Sequence, residues 1–493
     1  MHEHTIEQEL KTLTNRHLFD TPEPNVESQA WKTFRKTLRD LTKKIGYVEL
    51  APARQVVEHR VAMKRRRFGK GMELYFREGV KEKHSNITMM PKLEFYDVEK
   101  IPIKEDRGIQ FRNPVYNAAL ARHLHNIEPA IYRALVNKDG TPIVAKGYST
   151  IERAMIMHEM AKRFKKPMFV MADHSRFDAH VNPKLLLEEH RTYLRLRNYS
   201  GELKELLKWQ ESSTGFSHGG IKYKVKGKRM SGDLNTALGN TLLNWAMLDS
   251  YCKDSDIDAN IFLDGDDSIM CMEEQEIPSL SEYCAQFGME TVVEITDDIR
   301  KAEFCQCRVI YTKRGPVMCR NPFKVLECMT KCPRRLMTEA EQNAVLSASA
   351  LGELMQSPGL PMLAPACAAL HRIANCAPAF QTVDAFYSFQ KRETRAVVEE
   401  VDDFARVDLE VAWGIPLGDQ LAVEAYYTQQ VPMDAPIRWP KQNCKIYNFE
   451  IDDDLAKLYE PPAVNRFWRD EWPELTALML HTDADEAARA RHN

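Results

Sequence analysis

No stretch of about 18 consecutive apolar residues occurs in the 493-residue chain, so no segment is expected to span a membrane. Cysteine is missing from the first half, and all 11 lie between Cys252 and Cys444. Their odd number, and a polar start at Met1-His2-Glu3-His4 without a secretory leader, read as reduced thiols of a cytosolic protein rather than a disulfide framework. The Asn86-Ile-Thr88 and Asn198-Tyr-Ser200 glycosylation patterns stay bare in that setting. Paired C-x2-C or H-x3-H spacings are lacking, and the nearest substitutes, Cys305-x-Cys307 and Cys328-x3-Cys332, do not make a structural zinc site. There is no internal repeat, no low-complexity tract and no G-x4-G-K-[ST] phosphate loop. A basic excess is absent too. Lys and Arg number 68 against 71 Asp and Glu, a net charge of −3, so any contact with nucleic acid has to rest on local clusters.

What is present is a globular composition, 44% hydrophobic and 28% charged, on a chain long enough for two or three cooperating lobes. Basic residues cluster twice. Lys64-Arg65-Arg66-Arg67 closes one cluster. Lys222, Lys224, Lys226, Lys228 and Arg229 form the other, where alternation places the lysines on one face of a strand. That face reads as a contact for nucleic acid, against the plainer alternative of a solvated edge strand. Helical spacing of Ile151, Met155, Ala161 and Phe164, with Ser149 or Thr150 as cap, predicts a helix over 149–165 that Pro167 ends. Met168–Ala172 is a buried strand. Asn182-Pro183 opens a further helix, and residues 234–248 are helical. Beyond about residue 335 the chain reads as helical, with a frayed tail after Ala484. Trp439, Trp468 and Trp472 read as core residues rather than base-stacking platforms.

Two apolar segments, Ile261-Phe262-Leu263 and Ser268–Cys271, flank Asp264-Gly265-Asp266-Asp267. Adjacent carboxylates at a hairpin tip repel unless cations hold them, although Asp-Gly is also an ordinary turn sequence. Asp173-His174-Ser175-Arg176-Phe177-Asp178 follows a predicted strand. Carboxylates at the ends of neighbouring strands are placed to share two metal ions, and Mg2+ or Mn2+ suits all-oxygen ligands. A third segment, Ser231-Gly232-Asp233-Leu234-Asn235-Thr236-Ala237-Leu238-Gly239-Asn240, reads as a small-residue loop entering a helix. A loop of this kind can approach a backbone closely and read hydroxyl groups.

The ordered strings D-x4-D, S-G-D-x-N-T-x-x-G-N and G-D-D resemble motifs A, B and C of viral RNA-dependent RNA polymerases. They are most similar to the tombusvirus and carmovirus group of the flavivirus-like set. The resemblance covers roughly residues 90–370 and implies an RNA-directed RNA polymerase that replicates a positive-strand genome by two-metal nucleotidyl transfer. It implies Asp173, Asp266 and Asp267 as catalytic metal ligands. Asp178 and Asn240 would sense the ribose 2′-hydroxyl, with Ser231 and Thr236 in the same network and Gly232 lending the loop mobility. Lys104–Arg112 resembles motif F, with Arg107 and Arg112 over the triphosphate. Glu303–Gln306 resembles motif E, with Cys305 and Gln306 against RNA. Lys226 and Lys228 are expected to contact RNA.

The implied fold class is α+β: a right hand with closed fingers, a palm of antiparallel sheet flanked by helices, and a helical thumb. Expected boundaries are 1–90 N-terminal extension and fingers, 91–166 fingers, 167–190 palm, 191–230 fingers, 231–312 palm, and 313–493 thumb and tail. The resemblance also implies viral RNA template, nascent RNA and ribonucleoside triphosphates as partners, and initiation without a protein primer. A separate membrane-anchored viral replication protein would place the chain at membrane-associated complexes in the host cytoplasm. Rival readings are weaker. Asp254-x-Asp256-x-Asp258 begins like an EF-hand, but Ala259 and Gly265 stand where Gly and Glu are required. A coat protein has no use for carboxylates at two strand ends. Reverse transcriptases usually carry a bulky residue where Asp178 stands.

Overall fold

The computed structural model describes residues 5–60, 62–92, 99, 104–329, 331, 338–380, 401–432 and 435–438. Trp439, Trp468, Trp472, Cys332 and the tail beyond Ala484 lie outside the described residues. The chain is α+β, as expected, and divides into two compact units. Unit one comprises Met1–His59, Arg67–Lys146 and Glu159–Asp298, and unit two Arg60–Arg66, Gly147–His158 and Ile299–Asn493.

Ten strands occur among the described residues: β1 Ile87–Pro91, β2 Gly108–Arg112, β3 Pro167–His174, β4 Ser212–Ser217, β5 Lys222–Lys226, β6 Ala259–Asp264, β7 Asp267–Glu273, β8 Thr291–Thr296, β9 Cys307–Thr312 and β10 Gly315–Arg320. In unit one, β6-β7-β3-β8 form an antiparallel sheet. Its central strands are continuous apolar runs, Phe169-Val170 and Ile269-Met270-Cys271-Met272, because both faces are covered. The helix Thr236–Asp254 packs on β6 and is buried nearly all round. The outer edge of β6 is closed by a parallel backbone bridge between Val144 and Leu263 and, beside it, by side-chain mimicry. Asn137 donates to the Ile261 carbonyl at 3.0 Å and accepts from its N–H at 2.9 Å, which removes an exposed pairing edge.

The second sheet of unit one runs β2-β1-β4-β5, with β1 and β4 parallel. Alternation is strict on β5. Tyr223 and Val225 face the core, and Lys222, Lys224 and Lys226 face solvent. The lysine alternation ends there. Gly227 and Lys228 turn at positive φ, and Arg229 is buried.

Unit two carries the β9–β10 hairpin and the helices Pro322–Met329, Glu339–Gln356, Leu363–Ala374, Asp403–Trp413 and Leu417–Thr428 around Ile310, Val317, Leu354, Leu363 and Leu409. Thr338 and Glu341 form a capping box at the start of Glu339–Gln356. Ser149 caps Thr150–Lys162 in the same reciprocal way with Glu152. Nine cysteines are described and all are free thiols. Among the described residues no helix is long and apolar enough to cross a membrane.

The N-terminal segment belongs to the core of unit one. Thr33 and Thr37 of the helix Gln29–Ile45 donate to Asp254 and Asp249 at 2.6 and 3.0 Å, and Phe34 lies 5.2 Å from the Phe287 ring. Phe34 is fully buried, so Phe34→Ala is expected to lower the unfolding free energy by about 3–5 kcal/mol. Urea titration checks this, and a loss below about 1 kcal/mol would mean that the segment docks loosely.

Candidate active site

The hairpin between β6 and β7 sets the first element. Asp264 pairs with Asp267, which leaves Gly265 and Asp266 as the two-residue loop. Gly265 takes φ +71° and Asp266 does not take positive φ, the sign pattern of a type II′ hairpin turn, which matches strand twist. The neighbouring strand β3 runs in register with β7 as far as Ala172 opposite Ser268, so Asp173 follows directly beside Asp267. Asp173, Asp266 and Asp267 are all exposed at this end of the sheet.

Asp266 is held above the ordinary carboxylate range. Desolvation at the turn is the main cause; a hydrogen bond from the Asp266 backbone opposes it, Asp173 adds to the rise, Arg107 pulls the other way, and Asp264 adds least. Asp266 itself remains exposed to solvent. The carboxylates therefore oppose one another, with one guanidinium set against them. Among the described residues no three or more His, Cys, Asp or Glu side chains form a ready-made metal cage. A carboxylate pair completed by water and phosphate oxygens is the donor set that magnesium ordinarily uses, and these residues fit it.

Neutral side chains hold the turn's backbone. Asn244 donates to the carbonyls of Gly265 and Asp266 at 3.2 and 3.0 Å, and Thr241 Oγ1 accepts from Gly265 N–H at 3.1 Å. With its amide so engaged, the Asn244 oxygen receives the Nε2 proton of His174 at 3.2 Å, and His174 Nδ1 accepts from the Thr291 hydroxyl at 2.8 Å. Burial pushes His174 down to about 4, so it works as a neutral link. Sequence reasoning missed Thr241 and Asn244. The available signal was polar residues at 240, 241 and 244, one helical turn, in the otherwise apolar stretch from Ala237 to Leu248.

Asp178 stands on the single-turn helix Phe177–His180, and Asn240 Nδ2 donates to its Oδ1 at 2.8 Å. Burial pushes Asp178 up to about 6, Asp266 adds to the effect, and the Asn240 amide opposes it. Asn240 is aimed by Arg229, whose Nε donates to Asn240 Oδ1 at 3.1 Å and whose N–H donates to the Asp178 carbonyl at 2.8 Å. Arg229 in turn forms a buried ion pair with Glu189, the two side chains being 1% and 0% exposed. Glu189 also accepts from Asn235 at 2.8 Å and Tyr193 at 2.9 Å. Gly239 makes room for this pair, since a Cβ there would stand 2.5 Å from Glu189 Oε1.

The loop before the helix is tied to β2. Ser231 Oγ donates to the Gly108 carbonyl at 2.9 Å, and Thr236 Oγ1 donates to the carbonyls of Met230 and Asp233 at 2.8 and 2.9 Å. Gly232 N–H donates to the Gln110 carbonyl at 2.8 Å, and a Cβ on Gly232 would meet that oxygen at 2.4 Å. Close approach of two backbones explains this glycine, where loop mobility was the expectation.

Two cations expected to face ligands are instead structural. Arg112 is 1% exposed; it donates to both Asp233 oxygens at 2.6 and 3.2 Å, and to Ser85 and Ser213, so its guanidinium is enclosed inside the second sheet. Lys228 donates to the carbonyls of Phe19 and Ala179 at 2.7 and 3.2 Å and lies 4.3 Å over the Phe19 ring, turned inward from the lysine face. Arg107 is exposed, and its charge bears on Asp266. Lys226 is exposed. Cys305 and Gln306, in unit two, form a two-residue turn between Phe304 and Cys307 with φ +51° and +60°, signs usually left to Asn and Gly. Arg153 Nη1 lies 3.5 Å from Cys305 Sγ.

Glu189→Ala leaves a buried guanidinium without its counter-ion and is expected to lower the unfolding free energy by about 3–5 kcal/mol. The exposed control Glu205→Ala should change it by no more than about 0.5 kcal/mol. Equal effects in denaturant titrations would refute the central role of the pair.

A family model described as viral RNA dependent RNA polymerase matches residues 4–433. The chain is 31% identical over 374 residues to the RNA-directed RNA polymerase of Pothos latent virus, covering 74% of this chain and 48% of the relative. Over 355 residues it is 33% identical to that of Turnip crinkle virus, covering 68% and 45%. Identity to that of Cymbidium ringspot virus is 30% over 353 residues, covering 70% and 43%. The chain thus spans about half the length of the curated relatives it matches. A match running through every element that carries the carboxylates, the turn and its supports makes the chain a member of the viral RNA dependent RNA polymerase family.

Proposed function

We propose that this chain copies RNA from an RNA template, joining ribonucleoside triphosphates with the help of two Mg2+ or Mn2+ ions. The observation that carries the reading is the opposition of Asp173 and Asp266 across adjacent strands, beside an Arg that bears on the same carboxylate. Asp173 and Asp266, assisted by Asp267, would hold the ions. The chemistry such ions supply when bound is activation of the 3′-hydroxyl and neutralisation of the leaving pyrophosphate. The 3′-oxygen forms a bond to the α-phosphorus, the bond from that phosphorus to the bridging oxygen breaks, and the hydroxyl proton passes to solvent. Arg107 lends positive charge to the triphosphate. Asp178, aimed by Asn240, accepts from the ribose 2′-hydroxyl, the group that separates RNA from DNA precursors. Ser231 and Thr236 shape the loop beside it. Fingers, palm and thumb are the arrangement proposed for these elements, with Cys305 and Gln306 against the nascent strand.

Labelled-ribonucleotide incorporation on an RNA template with Mg2+ or Mn2+ tests this. Asp266→Asn is expected to lose incorporation by at least about 100-fold with an unchanged circular dichroism spectrum, since a ligand to the reaction's charge centre is removed. Persistent synthesis would overturn the assignment. Asp178→Ala is expected to narrow the preference for ribo- over deoxyribonucleotides. Initiation without a protein primer belongs to the same reading, and a product with protein linked to its 5′ end would contradict it.

We place the work of the chain at membrane-associated complexes in the host cytoplasm, with a separate viral protein as anchor. The support is the membership of the chain in the viral RNA dependent RNA polymerase family. Fractionation of cells expressing this chain alone should leave it off the membranes, and firm retention would contradict the reading.

A further inference from the structure

The outward face of the β2-β1-β4-β5 sheet combines features that the catalytic cleft does not use. Residues paired across antiparallel strands share a face. Phe216 is opposite Lys222, Thr214 opposite Lys224, and Ser212 opposite Lys226. The parallel register sets Thr88 beside Phe216, and Thr88 is in turn opposite Phe111 of β2. The three lysines are exposed and repeat every second residue, an interval of about 7 Å. No Asp or Glu interrupts residues 212–232, whereas the whole chain has a net charge of −3. Glu9, which reaches this hairpin, accepts from Gly219 N–H at 2.9 and 3.1 Å.

Lysines on an edge strand often serve only to discourage pairing with other strands. That function does not call for a large aromatic beside them. Phe216 is 40% exposed, with Lys222 Nζ 5.9 Å from its ring centroid. A row of ammonium groups along a strand, bordered by a part-exposed aromatic ring that the flexible Lys222 side chain overlies, matches the needs of an unpaired polynucleotide: charges for successive phosphates and a platform for a base. The sheet also leads toward the chemistry. Three strand steps of about 4.8 Å separate β5 from β2, which Arg107 immediately precedes.

We infer that the exposed face of this sheet is a docking track for single-stranded RNA, with Lys222, Lys224 and Lys226 on the phosphates and Phe216 under a base. The inference rests on the RNA-copying reading and adds a site outside the carboxylate cleft.

The test measures fluorescence anisotropy of a labelled single-stranded oligoribonucleotide at several salt concentrations. The protein is the full chain carrying Asp266→Asn, so that binding is read without synthesis. Lys222→Ala/Lys224→Ala/Lys226→Ala should weaken binding at least tenfold at low salt. Three lost phosphate contacts should make the slope of log affinity on log salt shallower by about 2. Phe216→Ala should weaken binding roughly fivefold or more with the slope unchanged. Circular dichroism confirms that both variants fold.

Parent-like affinity and slope in the triple variant would overturn the track. An equal loss on double-stranded RNA, or a neutral Phe216→Ala, would overturn the single-strand assignment and leave a general polyanion face. The two readings fail separately. A wild type that makes no product while the triple variant loses RNA leaves the track standing, and active wild type with an indifferent triple variant removes the track alone.

Discussion

The buried ion pair of Glu189 and Arg229 is the contact on which the site's geometry depends. Two charges removed from water attract strongly, but desolvation offsets most of the gain, so such a pair is a poor source of net stability. Its value here is positional. Glu189 gathers Arg229, Asn235 and Tyr193, and Arg229 passes the constraint to Asn240 and to the backbone of Asp178. A shift of any of these partners would leave a charge or an amide unpaired away from water. The helix Pro183–Leu196, the loop at 229–235 and the helix Thr236–Asp254 therefore hold one relative arrangement, and the pair of Asp178 and Asn240 inherits it.

The acidic turn is secured on a different principle. Its carboxylates repel, so ionic contacts among them cannot fix it. The fold instead grips the peptide backbone of Gly265 and Asp266 with the neutral side chains of Asn244 and Thr241. His174 is kept uncharged by burial and steadies Asn244. Asp173, Asp266 and Asp267 are thereby left exposed at the end of the sheet, an arrangement that suits hard cations which bring their own water and phosphate ligands.

Basic residues divide between two roles that composition cannot separate. Arg112 and Arg229 are enclosed, Lys228 is half-buried and bound to backbone carbonyls, and Lys222, Lys224, Lys226 and Arg107 face solvent. The division follows backbone geometry. The two-residue period of β5 keeps its lysines on one face until Gly227 and Lys228 adopt positive φ, after which the chain turns inward.

Much of the fold was legible in the sequence. The helix after Asn182-Pro183, the strand before Asp173, the acidic hairpin and the helix after Ser231 all appear where local spacing put them, because caps, breakers and periodicity act within a few residues. The order of the three acidic and small-residue strings was enough to identify the family. What only the tertiary structure decided was which polar groups meet. Arg112 finds Asp233 across 121 positions, His174 finds Asn244 across 70, and Glu189 finds Arg229 across 40. Nothing in the local sequence distinguishes an arginine destined for a phosphate from one destined for a buried carboxylate. The choice depends on the desolvation cost at the folded position and on whether a partner is held there to offset it, and both exist only once distant segments have packed together.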